Sequence, residues 1–159
     1  MHGKSKYMRH LFVFVMAAAI VACNITDTRE TPKAKEEHEA EAKKALQDST
    51  NYTTIEWVDK VVQDLGSVKK GEVVEITWKF KNTGTKPLII ADAYGSCGCT
   101  VAEKPTEPIA PGAESVIKAK FNSSNFSGHV TKDVNVSANN SNRNDGENNR
   151  LTFTANIKE

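Results

Sequence analysis

Residues 72–81 alternate, with Val74, Ile76, Trp78 and Phe80 on one side and Glu75, Thr77, Lys79 and Lys81 on the other. A period of two with one apolar side marks an antiparallel strand that buries one face. Ser115 to Phe121 repeats the pattern, placing Ile117, Ala119 and Phe121 opposite Lys118 and Lys120. Val130, Val134 and Val136 form a third such face, and Leu151, Phe153, Ala155 and Ile157 a fourth. Pro87 to Ala91 starts a further strand after the turn residues Asn82-Thr83-Gly84, and Pro111-Gly112 marks another turn, of type II. Ile55–Trp57 and Val61–Leu65 together read as an edge strand ending at Gly66. Residues 52–159 therefore predict an all-β domain: an immunoglobulin-like antiparallel β-sandwich of about seven short strands.

The pattern upstream is different. Met1 to His10 carries Lys4, Lys6 and Arg9 and no acid, and Leu11 to Ile20 is an unbroken apolar run of ten. Ten apolar residues are too few to span a bilayer, which takes about 20, but they suit a signal peptide. Ile20-Val21-Ala22-Cys23 then reads as a bacterial lipobox. Residues 1–22 are thus expected to be a lipoprotein signal peptide, with Cys23 acylated as the first mature residue. Two or three acyl chains hold a protein on a membrane where one is marginal. Asn24 stands where some lipoproteins carry an inner-membrane retention Asp, which points to the outer membrane with the domain in the periplasm.

Residues 23–51 form a polar linker whose large apolar side chains are few, chiefly Ile25 and Leu46. Thr31-Pro32 is a helix start, and Lys33 to Gln47 is rich in Ala, Glu and Lys. With so thin an apolar stripe this helix is expected to bury nothing and to act as a spacer.

Composition changes the picture little. The chain has 21 basic and 20 acidic residues; removing the signal peptide leaves 18 against 20, net −2. No Lys and Arg cluster suggests a nucleic-acid surface. Candidate chemistry reduces to Cys97-Gly98-Cys99, the only cysteines outside the first 23 residues. In extended chain their Cα atoms would stand ~7 Å apart, so a bond between them needs a turn, which Gly98 permits. Three readings compete: a staple that shapes the loop, a redox-active dithiol, and a two-thiolate site for a soft metal. Two Cys fall short of a complete zinc set. A Cys–His hydrolase would need His129, the only domain histidine, which sits at a strand start far along the chain. Asn140, Asn142 and Asn144 imitate a calcium loop, but Asp145 and Leu151 occupy the positions that require Gly and Glu. Asn144-Asp145-Gly146 reads instead as a hairpin turn.

Asn82-Thr83-Gly84-x-x-Pro87-Leu88-x-Ile90 followed by Ser96-Cys97-Gly98-Cys99-Thr100 resembles the bacterial family called domain of unknown function 1573. Asp64-x-Gly66, Lys70-Gly71-Glu72, Ile109-x-Pro111-Gly112 and Gly128 extend the likeness over residues 64–157. The resemblance implies an immunoglobulin-like sandwich and no particular activity. Leu65 departs from it, where an aromatic would be expected.

The sequence thus suggests a lipid-anchored envelope protein whose domain is a binding or structural module. Its partners would be the membrane, through Cys23, and an envelope protein or glycan. No catalytic residue, metal or cofactor is assigned. The candidate binding loop is Tyr94, Gly95, Ser96, Gly98 and Thr100 around Cys97 and Cys99, with residues 139–150 as a second candidate surface. The alternative is an envelope thiol-redox or soft-metal-handling protein that uses Cys97 and Cys99.

Overall fold

The computed structural model describes residues 32–145 and 148–159; the signal peptide and Cys23 lie outside them. Helix α1 spans Pro32–Gln47, and eight strands follow: β1 (Ile55–Trp57), β2 (Val62–Lys69), β3 (Val73–Asn82), β4 (Ile90–Gly95), β5 (Thr100–Glu103), β6 (Glu114–Asn122), β7 (Gly128–Ala138) and β8 (Asn149–Lys158). They form two four-stranded sheets, β1-β3-β6-β5 and β2-β8-β7-β4, stacked as a sandwich.

The alternation seen in the sequence faces inward as expected. Ile76, Trp78 and Phe80 of β3 and Ile117, Ala119 and Phe121 of β6 are buried from one sheet. Val134, Val136 and Ala138 of β7 and Leu151, Phe153, Ala155 and Ile157 of β8 are buried from the other. Phe153 joins the layers, its ring centroid 5.3 Å from that of Phe121 and 6.5 Å from that of Trp78. The outward residues of β3, β6 and β5 are largely charged and partly paired, Lys120 with Glu103 at 2.7 Å and Lys118 with Glu75 at 4.0 Å. Gly112 has φ 79°, and Ala113 N–H donates to Ala110 C=O at 3.0 Å, closing the expected turn.

The segment read as one edge strand is two strands in different sheets. β1 pairs with β3, whereas β2 lies beside β8 and runs parallel to it. Gly66 does not end β2. It sits at φ 66° where the register slips between Asp64 and Ser67, a bulge closed by Asp64 Oδ1 accepting from Gly66 N–H at 2.9 Å. Splitting that segment raises the strand number to eight and makes one pairing parallel.

α1 also differs from the bare spacer expected. Ala42 is buried, Ala45 and Leu46 are half-buried, and the helix rests against β4. Tyr52 Oη donates to Leu46 C=O at 2.8 Å just past the helix end. No helix among the described residues is long and apolar enough to cross a membrane.

One end of the sandwich is held by amides. Asn82, Asn139, Asn140 and Asn149 are all buried. Asn82 Nδ2 donates to Lys86 C=O (2.8 Å) and Ile109 C=O (2.9 Å), while its Oδ1 accepts from Thr53 Oγ1 (2.9 Å) and Gly84 N–H (3.1 Å). Asn139 ties Asn51 C=O and Pro87 C=O to Ile89 N–H, and Asn140 and Asn149 bond each other reciprocally. Such bonding offsets the cost of burying these polar side chains.

Candidate functional site

β4 belongs to one sheet and β5 to the other, so residues 96–99 carry the chain across the open end of the sandwich. Ser96 N–H donates to Asp133 C=O at 2.9 Å and Ser96 Oγ accepts from Asp133 N–H at 3.4 Å, fastening the loop to β7. Thr100 N–H donates to Cys97 C=O at 3.3 Å, which makes Cys97–Thr100 a turn. Cys97 and Cys99 are joined by a disulfide with their Cα atoms 5.3 Å apart, inside the range that a disulfide accepts and well short of the extended spacing.

Two glycines flank the first cysteine, and only one is sterically required. A Cβ on Gly95 would lie 2.5 Å from Thr100 C=O and 2.7 Å from Thr100 Cβ, so the returning strand leaves no room for a side chain. A Cβ on Gly98 meets nothing within 4 Å, and its φ is outside the left-handed region. The turn that brings the thiols together therefore does not depend on Gly98.

Of the five candidate loop residues, Tyr94, Ser96 and Gly98 are exposed. Thr100 is buried, with its Oγ1 against both sulfurs (4.0 Å to Cys97, 3.7 Å to Cys99), and Gly95 is half-buried beneath it. These two shape the loop from below and offer a partner little. Both cysteines are half-buried, and Cys99 also touches the apolar core. Tyr94 is 45% exposed and Val101, just beyond the loop, 62%. Beside Val101, Lys120 donates to Glu103 and lies close to it, which holds the Glu103 carboxyl below the usual value and the Lys120 amine above its own.

The second candidate surface is elsewhere and is differently occupied. β4 pairs Gly95 with Val134 at the loop end and Ile90 with Ala138 at the amide end, about 17 Å away along the strand. Asn142 accepts from Ile55 N–H (3.0 Å) and donates to Ile55 C=O (2.7 Å), taking the place of a neighbouring strand on the free edge of β1. Asn144 grips Arg150 N–H and C=O in the same way (2.5 and 2.9 Å). The asparagines of this segment are engaged by the protein's own backbone and side chains, Asn140 by Asn149 and Asn148 by Ser137. Asp145 and Asn148 exchange two backbone hydrogen bonds, forming the hairpin around the undescribed pair 146–147.

His129 is exposed near the start of β7, four residues or about 13 Å along the strand from Asp133, where the loop is fastened. Among the described residues no three His, Cys, Asp or Glu side chains converge as a metal set would.

A family model described as "Protein of unknown function (DUF1573)" matches residues 55–157. The chain belongs to the DUF1573 family. No curated protein matches it. Among solved structures, this DUF1573 chain is similar to a protein of unknown function from Porphyromonas gingivalis W83, with 15% identity and a TM-score of 0.56 over 69% of this chain and 49% of that one. It therefore spans about half of that protein. It is also similar to the ASH/PapD-like domain 7 of human CEP192 (12% identity, TM-score 0.49, 69% of this chain and 88% of that one) and to the Pseudomonas aeruginosa CupB2 chaperone (13%, 0.45, 64% and 55%). At such identities a likeness bears on fold alone, and the fold of this DUF1573 domain is the β-sandwich of two four-stranded sheets described above.

Proposed function

We propose that this DUF1573 protein is a lipid-anchored envelope protein, acylated at Cys23 and held at the outer membrane with its sandwich in the periplasm. Its domain is a non-catalytic recognition module, and the β4–β5 loop is its binding surface for an envelope protein or glycan. The observation that carries this reading is the loop's construction. Ser96 is fastened to Asp133, Thr100 is buried beneath, and the Cys97–Cys99 bond closes the turn, leaving Tyr94, Ser96 and Gly98 presented on a fixed backbone. A preformed loop loses less conformational entropy on binding than a flexible one. The lipobox and the polar α1 fit an anchored domain held off a membrane.

The rival role in thiol exchange draws on one observation, a half-exposed disulfide between cysteines two apart in sequence. Crosslinking in intact cells, followed by purification of the full-length protein, separates the two. The proposal expects a partner that Tyr94→Ala loses and a Cys23→Ala protein that is released from the membrane or left unprocessed. Disulfide exchange with a model dithiol at a catalytic rate, or a mature N-terminus that is unmodified and lies elsewhere, would overturn it.

A further inference from the structure

A cavity of about 370 Å³ lies between α1 and the facing edges of the two sheets, a size within the range of ligand sites. Ile90 and Ala93 of β4 and Ala102 of β5 line it, and Ala42 of α1 closes it from the other side. β4 and β5 are the outermost strands of their sheets on this side of the sandwich. In β5 the ladder is set by Asn122 N–H donating to Cys99 C=O at 3.0 Å. Alternation along an antiparallel pair then turns the N–H and C=O of Ala102 away from β6, towards the cavity. The opposite edges are handled differently: Asn142 occupies that of β1, and the Gly66 bulge interrupts that of β2.

The mouth is acidic. Glu39, Glu41 and Asp92 are exposed around it against one base, Lys104, while Glu103 is engaged by Lys120. We infer that this cavity receives an extended cationic peptide segment, which adds a strand to the free edge of β5. Its small aliphatic side chains enter between Ala93 and Ala102, and its Lys or Arg residues meet Glu39, Glu41 and Asp92. Strand addition draws affinity from main-chain hydrogen bonds and specificity from alternate side chains, which matches an apolar floor beneath a charged rim. The inference stands on the cavity and does not depend on the stapled loop or the anchor.

The probe is a fluorescent ten-residue peptide alternating Lys and Val, titrated into the full-length protein in detergent at low salt. Alternating Glu-Val and Lys-Ser peptides serve as controls. The Lys-Val peptide should bind about tenfold or more tighter than either control, because charge and apolar side chains are both needed. Ala102→Phe, which fills the cavity, should weaken it about tenfold. The exposed pair Glu39→Lys with Glu41→Lys, remote from the sandwich core, should weaken it about three- to tenfold. The Ala102 amide should gain protection from hydrogen exchange in the complex. Equal binding of the Lys-Val and Lys-Ser peptides, indifference to the helix variants, or an unchanged Ala102 amide would each overturn the inference.

Discussion

Asn82→Asp is nearly isosteric and tests the amide-built end of the sandwich directly. Asn82 has no solvent exposure and uses both halves of its amide, donating to Lys86 and Ile109 carbonyls at 2.8 and 2.9 Å. The substitution replaces that NH₂ with an oxygen facing two carbonyl oxygens. In its protonated form the new carboxyl still donates one hydrogen bond and leaves the other carbonyl unsatisfied, which costs about 1–2 kcal/mol. In its ionised form it donates none and sits buried without a cation, adding a further ~3 kcal/mol. Desolvation and the facing carbonyls both raise its folded pKa above the unfolded one. The remaining stability is then fully present below the unfolded value and lost as pH rises through the folded value. Total stability of a single domain is about 5–15 kcal/mol, so the loss at pH 7 is a large share of it.

Urea unfolding of the variant and the wild type at pH 4 and pH 7, followed by tryptophan fluorescence, measures the difference, with the wild-type pH dependence subtracted. Asn82→Leu breaks the same bonds without a titrating group, and its cost should be independent of pH. A cost for Asn82→Asp that is equal at the two pH values, or below about 0.5 kcal/mol at pH 7 as for an ordinary surface change, would refute the account of this amide as a buried clasp.

Four further outcomes are expected. Trp78→Ala should cost about 3–5 kcal/mol and Lys79→Ala less than about 0.5 in the same unfolding assay, since one side chain is fully buried and its neighbour exposed. Gly95→Ala should cost about 2–3 kcal/mol, because the added Cβ meets Thr100 backbone, whereas Gly98→Ala should cost less than about 0.5. Cys97→Ser with Cys99→Ser should keep the circular-dichroism spectrum and lower the melting temperature by only about 5 °C or less, because so short a loop constrains the unfolded chain little. By NMR, Glu103 should titrate below the ordinary carboxylate range and return towards it in Lys120→Ala; the small stabilisation from this exposed pair is present above that range and fades as pH falls through the Glu103 pKa.

Legibility in the sequence followed burial. β3, β6 and β8 each bury one face over nine or ten residues, so their alternation survives to the sequence with little interruption. The stretch from Ile55 to Leu65 carries a weaker signal because β1 is three residues long and β2 leaves Val62 57% exposed. Without a steady inward face, nothing in the sequence says that the chain changes sheets between them, or that Gly66 bends a strand instead of ending it. The amide end is hidden for another reason. Asn, Gly and Ser in series are the ordinary composition of a solvated loop. Whether an asparagine is buried depends on which carbonyls the fold brings to it, and those of Asn139 come from positions 51 and 87.

The same reasoning separates what could and could not be read at the cysteine loop. Spacing two apart indicates that a bond needs a turn, and the structure supplies one. The glycine between the thiols permits that turn, yet the steric demand falls on Gly95, two positions before the first cysteine, because Thr100 passes over it. That contact joins residues five apart and is invisible to any rule about turn residues. α1 is the converse case. Its thin apolar stripe suggests a helix that buries nothing, yet among its described side chains Ala42 reaches full burial. What the stripe could not indicate is where that one contact falls: over the gap between β4 and β5, where two sheet edges are otherwise open. A helix with so small a buried face adds little stability of its own. Its position matters more as a wall, because it turns an exposed gap between sheets into a cavity with a charged mouth.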